Sequence, residues 1–295
     1  MKNHSKITQT IEIIVMLALI FAVLYFTKEA GFADDLKPET RFEKTINIFG
    51  IILMGFIVLG VHELGHLLTG LYNGFRFDLY VVGPLGIKSE QEKIKVYLNK
   101  ELSLYGGVAA TSPVNDDIEN AKKFARILLA GPIASVLFAI ICFALAYLVG
   151  KPFGMMLYTG GLISVAIFFA TTIPSKTGMF FTDRKRYQRL VTPGPDQEVE
   201  LAMLNIMGKY AKDNSYKNID IKDINTLTND DLPFVKFYGL FNLYCHELET
   251  KGHVSEETKN NYESHSKSMS KNLVAAFEKE LTRFKDHIQN HGIEN

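Results

Sequence analysis

Four apolar runs of membrane-crossing length lie before Pro174, and a chain built this way has to fold with lipid as part of its solvent. They span residues 11–26, 46–71, 125–149 and 155–173, the last two joined by a short turn around Lys151 and Pro152. In lipid each backbone N–H and C=O must be paired within the protein, so each run is expected to be a helix. The average composition, 47% hydrophobic with formal net charge +0, conceals a division, because the chain beyond residue 190 is charged and reads as water-soluble. The expected architecture is an α-helical polytopic membrane protein with about four transmembrane helices, a short β-hairpin-like insert and a soluble helical C-terminal tail. By residue, 1–45 is an N-terminal anchor with an external loop, 46–190 is the membrane core with a β-rich loop at 75–112, and 191–295 is the tail. Gly31 and Ala33 are spaced like a signal-peptide cleavage site, but the first apolar core is long for a signal peptide, which favours a retained anchor.

The second run contains His62-Glu63-Leu64-Gly65-His66. Ionisable side chains are costly in lipid and mark function there. His62 and His66 are one helical turn apart, so they share a face and can grip one metal ion. Glu63 stands beside the first histidine, where a carboxylate serves as general base to a metal-activated water. The two cysteines, Cys142 and Cys245, have no zinc-binding spacing and fall in different regions, so the ligands must be histidine and carboxylate. A neutral charge balance without a basic block argues against nucleic acid as a partner.

Lysine and arginine set the orientation. They are dense in the loop between the second and third runs and again after the fourth, at Lys176, Arg184, Lys185, Arg186 and Arg189. Both termini and the long middle loop are therefore expected on the cytoplasmic side of what is expected to be the cell membrane. His62 then lies roughly 13 Å from the inner end of its helix, in the inner half of the bilayer.

The middle loop reads as short strands broken by Gly83-Pro84, Gly86 and Gly106-Gly107. It is either a small cytoplasmic hairpin or a hairpin reaching toward the site, with an edge that pairs with extended substrate. In the third run, Gly131-Pro132-Ile133-Ala134-Ser135 reads, taken alone, as a close-packing patch. In the tail, Val274, Phe277, Leu281, Phe284 and Ile288 form one helical stripe, and 233–248 is a second helix. The five tail histidines, 246, 253, 265, 287 and 291, read as solvated surface.

A catalytic zinc takes three protein ligands. Asp78, Asp116, Asp117 and Asp183 are on the right side to supply the third, with Asp116-Asp117 reading as a turn or helix cap. Spacing weakly prefers Asp183, which follows the fourth run through a Pro/Gly-broken segment that can fold back, although Arg184, Lys185 and Arg186 could pair with it at the surface.

Together these motifs resemble the site-2 protease family of intramembrane zinc metalloproteases, over about residues 46–186. His62-Glu63-Leu64-Gly65-His66 matches its zinc motif, Gly131 to Ser135 its G-x-x-x-N/S/G element, and Pro174 with Asp183 its Pro-then-Asp-Gly element. The resemblance implies Zn²⁺ held by His62, His66 and Asp183, with Glu63 as the catalytic base. It implies hydrolysis of a peptide bond in or near a transmembrane segment, in single-span membrane proteins or peptide precursors, with lipid as the surrounding partner. The chain departs from the pattern in having Asp183-Arg184 for Asp-Gly, a longer Pro-to-Asp spacing, and Thr171 and Thr172 where an asparagine is often found. The alternative is a proteolytically inactive membrane scaffold or binding protein with a structural metal site.

Overall fold

The computed structural model describes residues 31–90, 93–177 and 180–291, together with Ile14, Ala18, Phe21, Ala22 and Tyr25. The first apolar run and the question of its cleavage therefore fall largely outside the described residues. The chain divides into two compact units, residues 1–111 with 123–188, and 112–122 with 189–295.

Among the described residues three helices are long and apolar enough to cross a membrane: α1 (Arg41–Tyr72), α2 (Asn120–Val149) and α3 (Gly154–Thr172). Helix α1 begins upstream of the apolar run because Thr40 and Glu43 form a reciprocal capping box at its N-terminus. Its 32 residues span about 48 Å, well beyond a hydrocarbon layer of about 30 Å, so its polar first turns extend past the lipid. Ile48, Phe49, Ile52 and Leu53 on α1, and Ile133, Leu137 and Ile140 on α2, are exposed. That much bare apolar surface is a liability in water and ordinary in lipid.

Small residues bring the helices together. Gly50 of α1 lies against Met156 of α3, Gly160 of α3 against Met54 of α1, and Gly161 against Phe143 of α2. Asn47, buried on α1, donates to the Pro152 carbonyl at 3.1 Å just ahead of α3.

Between α1 and α2 the chain forms a four-stranded sheet in the order β3-β2-β1-β4, from β1 (Arg76–Val82), β2 (Leu85–Glu90), β3 (Lys93–Leu98) and β4 (Val108–Ser112). Strands β1 and β2 form a hairpin with Val82 opposite Leu85, and β2 and β3 another with Glu90 opposite Lys93. The insert is thus larger than a hairpin, and β4 returns to pair at the far edge. Tyr80 of β1 donates to the Gly60 carbonyl of α1 at 3.0 Å, fastening the sheet to the helix that carries the histidines.

After α3, Lys176–Thr177 (β5) and Phe180–Phe181 (β6) pair as a two-stranded ribbon, and α4 (Asp183–Val191) follows. The second unit contains α5 (Pro195–Asp213), α6 (Ile221–Thr228), α7 (Pro233–Lys251), α8 (Glu256–Ser266) and α9 (Lys271–His291). Its core is built on Ile206, Ile224, Leu227, Phe237 and Cys245, and the apolar stripe of α9 packs on it. Helix α7 starts on Pro233 and stops at Gly252, whose φ of 74° suits a glycine at that position. Both cysteines are free and buried.

Candidate metal centre

The four-residue spacing in α1 sets His62 and His66 on one helical face, with their Nε2 atoms 3.3 Å apart. Asp183, the first residue of α4, turns its carboxylate onto that face. Oδ2 lies 3.2 Å from His62 Nε2 and Oδ1 3.4 Å from His66 Nε2. Among the described residues this is the one cluster whose ligand atoms all lie within 4.8 Å of one another.

The longer Pro-to-Asp spacing has a local explanation. The extra residues are taken up by the β5–β6 ribbon, and Thr182 closes its base, N–H to the Ser175 carbonyl at 3.0 Å and Oγ1 to the Ile173 carbonyl at 2.9 Å. Asp183 is thereby returned to the end of α3. Its basic neighbours do not draw the carboxylate away, and Arg186 instead stacks over the Phe124 ring of α2, 4.7 Å from its centroid. The other acidic residues lie elsewhere. Asp78 pairs with Arg76, Asp116 with Lys212, and Asp117 accepts from the Glu119 N–H.

Helix α2 holds the far side of both imidazoles. His66 Nδ1 is 2.7 Å from the Ile127 carbonyl, and His62 Nδ1 is 2.9 Å from Ser135 Oγ. A carbonyl can only accept, so His66 donates from Nδ1, which leaves Nε2, on the Asp183 side, as the ring nitrogen available to a metal. Asp183 Oδ2 is buried without a hydrogen-bond donor. That oxygen lies beside His62 Nε2, and a buried carboxylate oxygen left without a donor is the kind of group a bound cation satisfies. The donor set of two imidazoles and a carboxylate suits zinc. The site therefore fits a metal ion on its own chemistry.

Two glycines make the close packing work. A Cβ on Gly131 of α2 would overlap the His66 ring. Gly65, between the histidines, brings α1 against the Ala130 carbonyl of α2, where a Cβ would stand 2.6 Å from the oxygen. The patch from Gly131 to Ser135 thus packs helices and also touches both histidines.

Glu63 is buried beside the cluster, with its carboxylate against the loop into β4. A Cβ on Gly107 would lie 2.8 Å from Glu63 Oε1, and Gly107 also has φ of 96°, so both space and backbone call for glycine. The Ala109 backbone N–H lies close to the same carboxylate. Sequence reasoning marked Gly106-Gly107 only as a break, and a glycine pair in an apolar stretch was the available signal of close approach.

With that geometry in hand, comparison with known proteins adds the family: residues 49–291 match peptidase family M50, the site-2 protease family. The chain belongs to peptidase family M50. M50 proteins are membrane metalloproteases, hydrolases of peptide bonds, and three apolar helices place this member in a membrane. No curated protein and no solved structure matches the chain.

Thr171 and Thr172, near the position where the resemblance led to an asparagine, bond back to the Phe168 carbonyl of their own helix, Thr172 at 2.6 Å. The tail histidines are not uniformly surface residues. His246 is half-buried with Nδ1 2.8 Å from the Tyr216 carbonyl, and His265 Nε2 lies 2.9 Å from the Pro233 carbonyl. The side chains of His287 and His291 fall outside the described residues.

Proposed function

We propose that this M50 protein is an intramembrane zinc metalloendopeptidase that hydrolyses a peptide bond in or near a substrate transmembrane segment. The observation that carries the reading is the convergence of His62, His66 and Asp183, with Glu63 on the next helical position, inside a membrane-length helix. His62, His66 and Asp183 hold the ion. Zinc bound there supplies a water of lowered pKa and polarises the scissile carbonyl.

Glu63 takes the proton from the attacking water and returns it to the leaving amine. The Ala109 N–H and the closeness of Gly107 keep its carboxylate from swinging away. A helical substrate hides its carbonyls in hydrogen bonds, so the segment to be cut must unwind. Strand β4 is the sheet edge next to Glu63, and pairing with its free edge would hold an unwound segment beside the base. A groove of about 410 Å³ lined by Phe56, Gly60, Leu64, Tyr80, Val82 and Leu85 runs along the same helix and offers an apolar seat for its side chains.

The substrates are single-span membrane proteins or membrane-held peptide precursors, and the site takes its water from the cytoplasmic side. Both termini are cytoplasmic and the membrane is the cell membrane. A buried Glu63 beside the cluster favours hydrolysis over a scaffold stapled by a structural ion, because a structural site has no use for a base. The test is cleavage of single-span substrates by protein reconstituted in lipid. Cleavage that persists after zinc is chelated would overturn the assignment.

A further inference from the structure

We propose that Ser135 is a positioning residue for the metal centre, its hydroxyl holding the His62 imidazole in the tautomer that turns Nε2 toward the ion. The proposal rests on the metal-binding part of the reading above and not on peptide hydrolysis.

A neutral imidazole has one N–H, and the partner offered to one nitrogen decides the state of the other. His66 is fixed by the Ile127 backbone carbonyl, which no side-chain change removes. His62 depends on a side chain, since its Nδ1 faces Ser135 Oγ at 2.9 Å. For His62 to offer Nε2 to an ion, Nδ1 must carry the proton, and the Ser135 hydroxyl is then its acceptor. Ser135 is fully buried, so water cannot substitute for the hydroxyl.

The competing explanation is that Ser135 is merely small, letting α2 approach its neighbours. The contact between α2 and α3 at this level has its own hydrogen bond, from Ser164 Oγ to the Ser135 carbonyl at 2.8 Å. That bond uses the Ser135 backbone and leaves the hydroxyl to His62. Serine and alanine differ little in size, so packing and positioning make opposite forecasts for Ser135→Ala.

The experiment compares the full-length parent, Ser135→Ala and Ser164→Ala, purified in detergent. It reads zinc affinity in metal-buffered solution and the visible absorption of the Co²⁺-substituted proteins. Positioning predicts that Ser135→Ala binds zinc about 10- to 100-fold more weakly, with an altered Co²⁺ spectrum. Ser164→Ala, which removes a helix-packing bond alone, should keep the parent's affinity and spectrum. The proposal is overturned if Ser135→Ala matches the parent, or if both variants weaken binding equally. A parent that binds zinc but cuts no substrate would remove the peptidase reading and leave the Ser135 comparison intact.

Discussion

At Gly131 any side chain would occupy the space of the His66 ring, so the candidate metal centre depends on an atom group that is absent as much as on those present. Gly131→Ala is expected to displace the imidazole and lower zinc affinity at least about tenfold, measured by metal content at buffered zinc. Asp183→Ala should do the same by removing the third ligand, and unchanged zinc content would take Asp183 out of the site. The residues of this centre were legible to different degrees. His62, Glu63 and His66 stand out because polar groups are expensive in lipid and their spacing fits one helical face. Asp183 did so only weakly, because three basic neighbours offered it a surface partner. Arg186 stacking on Phe124 is a tertiary contact between residues 62 positions apart, which local pattern does not reveal. Ser135 was read as packing for the same reason, since its partner His62 lies on another helix.

Among the elements, the three apolar helices followed directly from hydropathy, whereas the four-stranded order of the insert did not. Strand β4 pairs with β1 across two intervening strands, and only the tertiary fold brings its loop to Glu63. Gly107→Ala is expected to push that loop off the carboxylate and lower the cleavage rate on the order of tenfold or more, with zinc content retained. Equal cleavage would separate the sheet from the chemistry. In the second unit, Arg189 is buried against Glu200 at 3.0 Å and Asp196 at 2.6 Å. Glu200→Ala removes a charge-assisted hydrogen bond from Arg189, which keeps Asp196, and should destabilise this unit by about 2 kcal/mol, seen as faster hydrogen exchange in α5.

Glu247 gives the same unit a pH dependence. Burial pushes its carboxyl up, but hydrogen bonds from Lys251 and Ser255 prevail and hold it at about 2. A carboxyl lowered on folding contributes stability above the ordinary carboxylate range and loses it as pH falls toward about 2. Acid unfolding of α7 and α8 in that window should therefore be blunted in Glu247→Gln, measured by hydrogen exchange. An unaltered acid profile would discount these bonds.

On the scale of the whole molecule, a membrane-embedded unit carries the site and a helical unit follows it in sequence, each with its own core. Composition separates the apolar runs before Pro174 from a tail with an amphipathic stripe, but it does not reveal that residues 112–122 group with 189–295. The proposed orientation has a direct check by impermeant maleimide labelling of introduced cysteines. Lys93→Cys and Lys217→Cys should be labelled only after cells are opened, and Glu39→Cys in intact cells. The reverse pattern would turn the protein over and put the site in the outer half of the bilayer.

Glu63 is proposed to move the proton for a zinc-dependent peptide cleavage inside the membrane. The most direct measurement pairs the parent with Glu63→Gln in lipid vesicles containing single-span substrates, recording zinc content and product on the same samples. Equal zinc is expected in both proteins, with a cleavage rate lowered by at least about 10²-fold in the variant. Equal cleavage by the two proteins would contradict this role for Glu63.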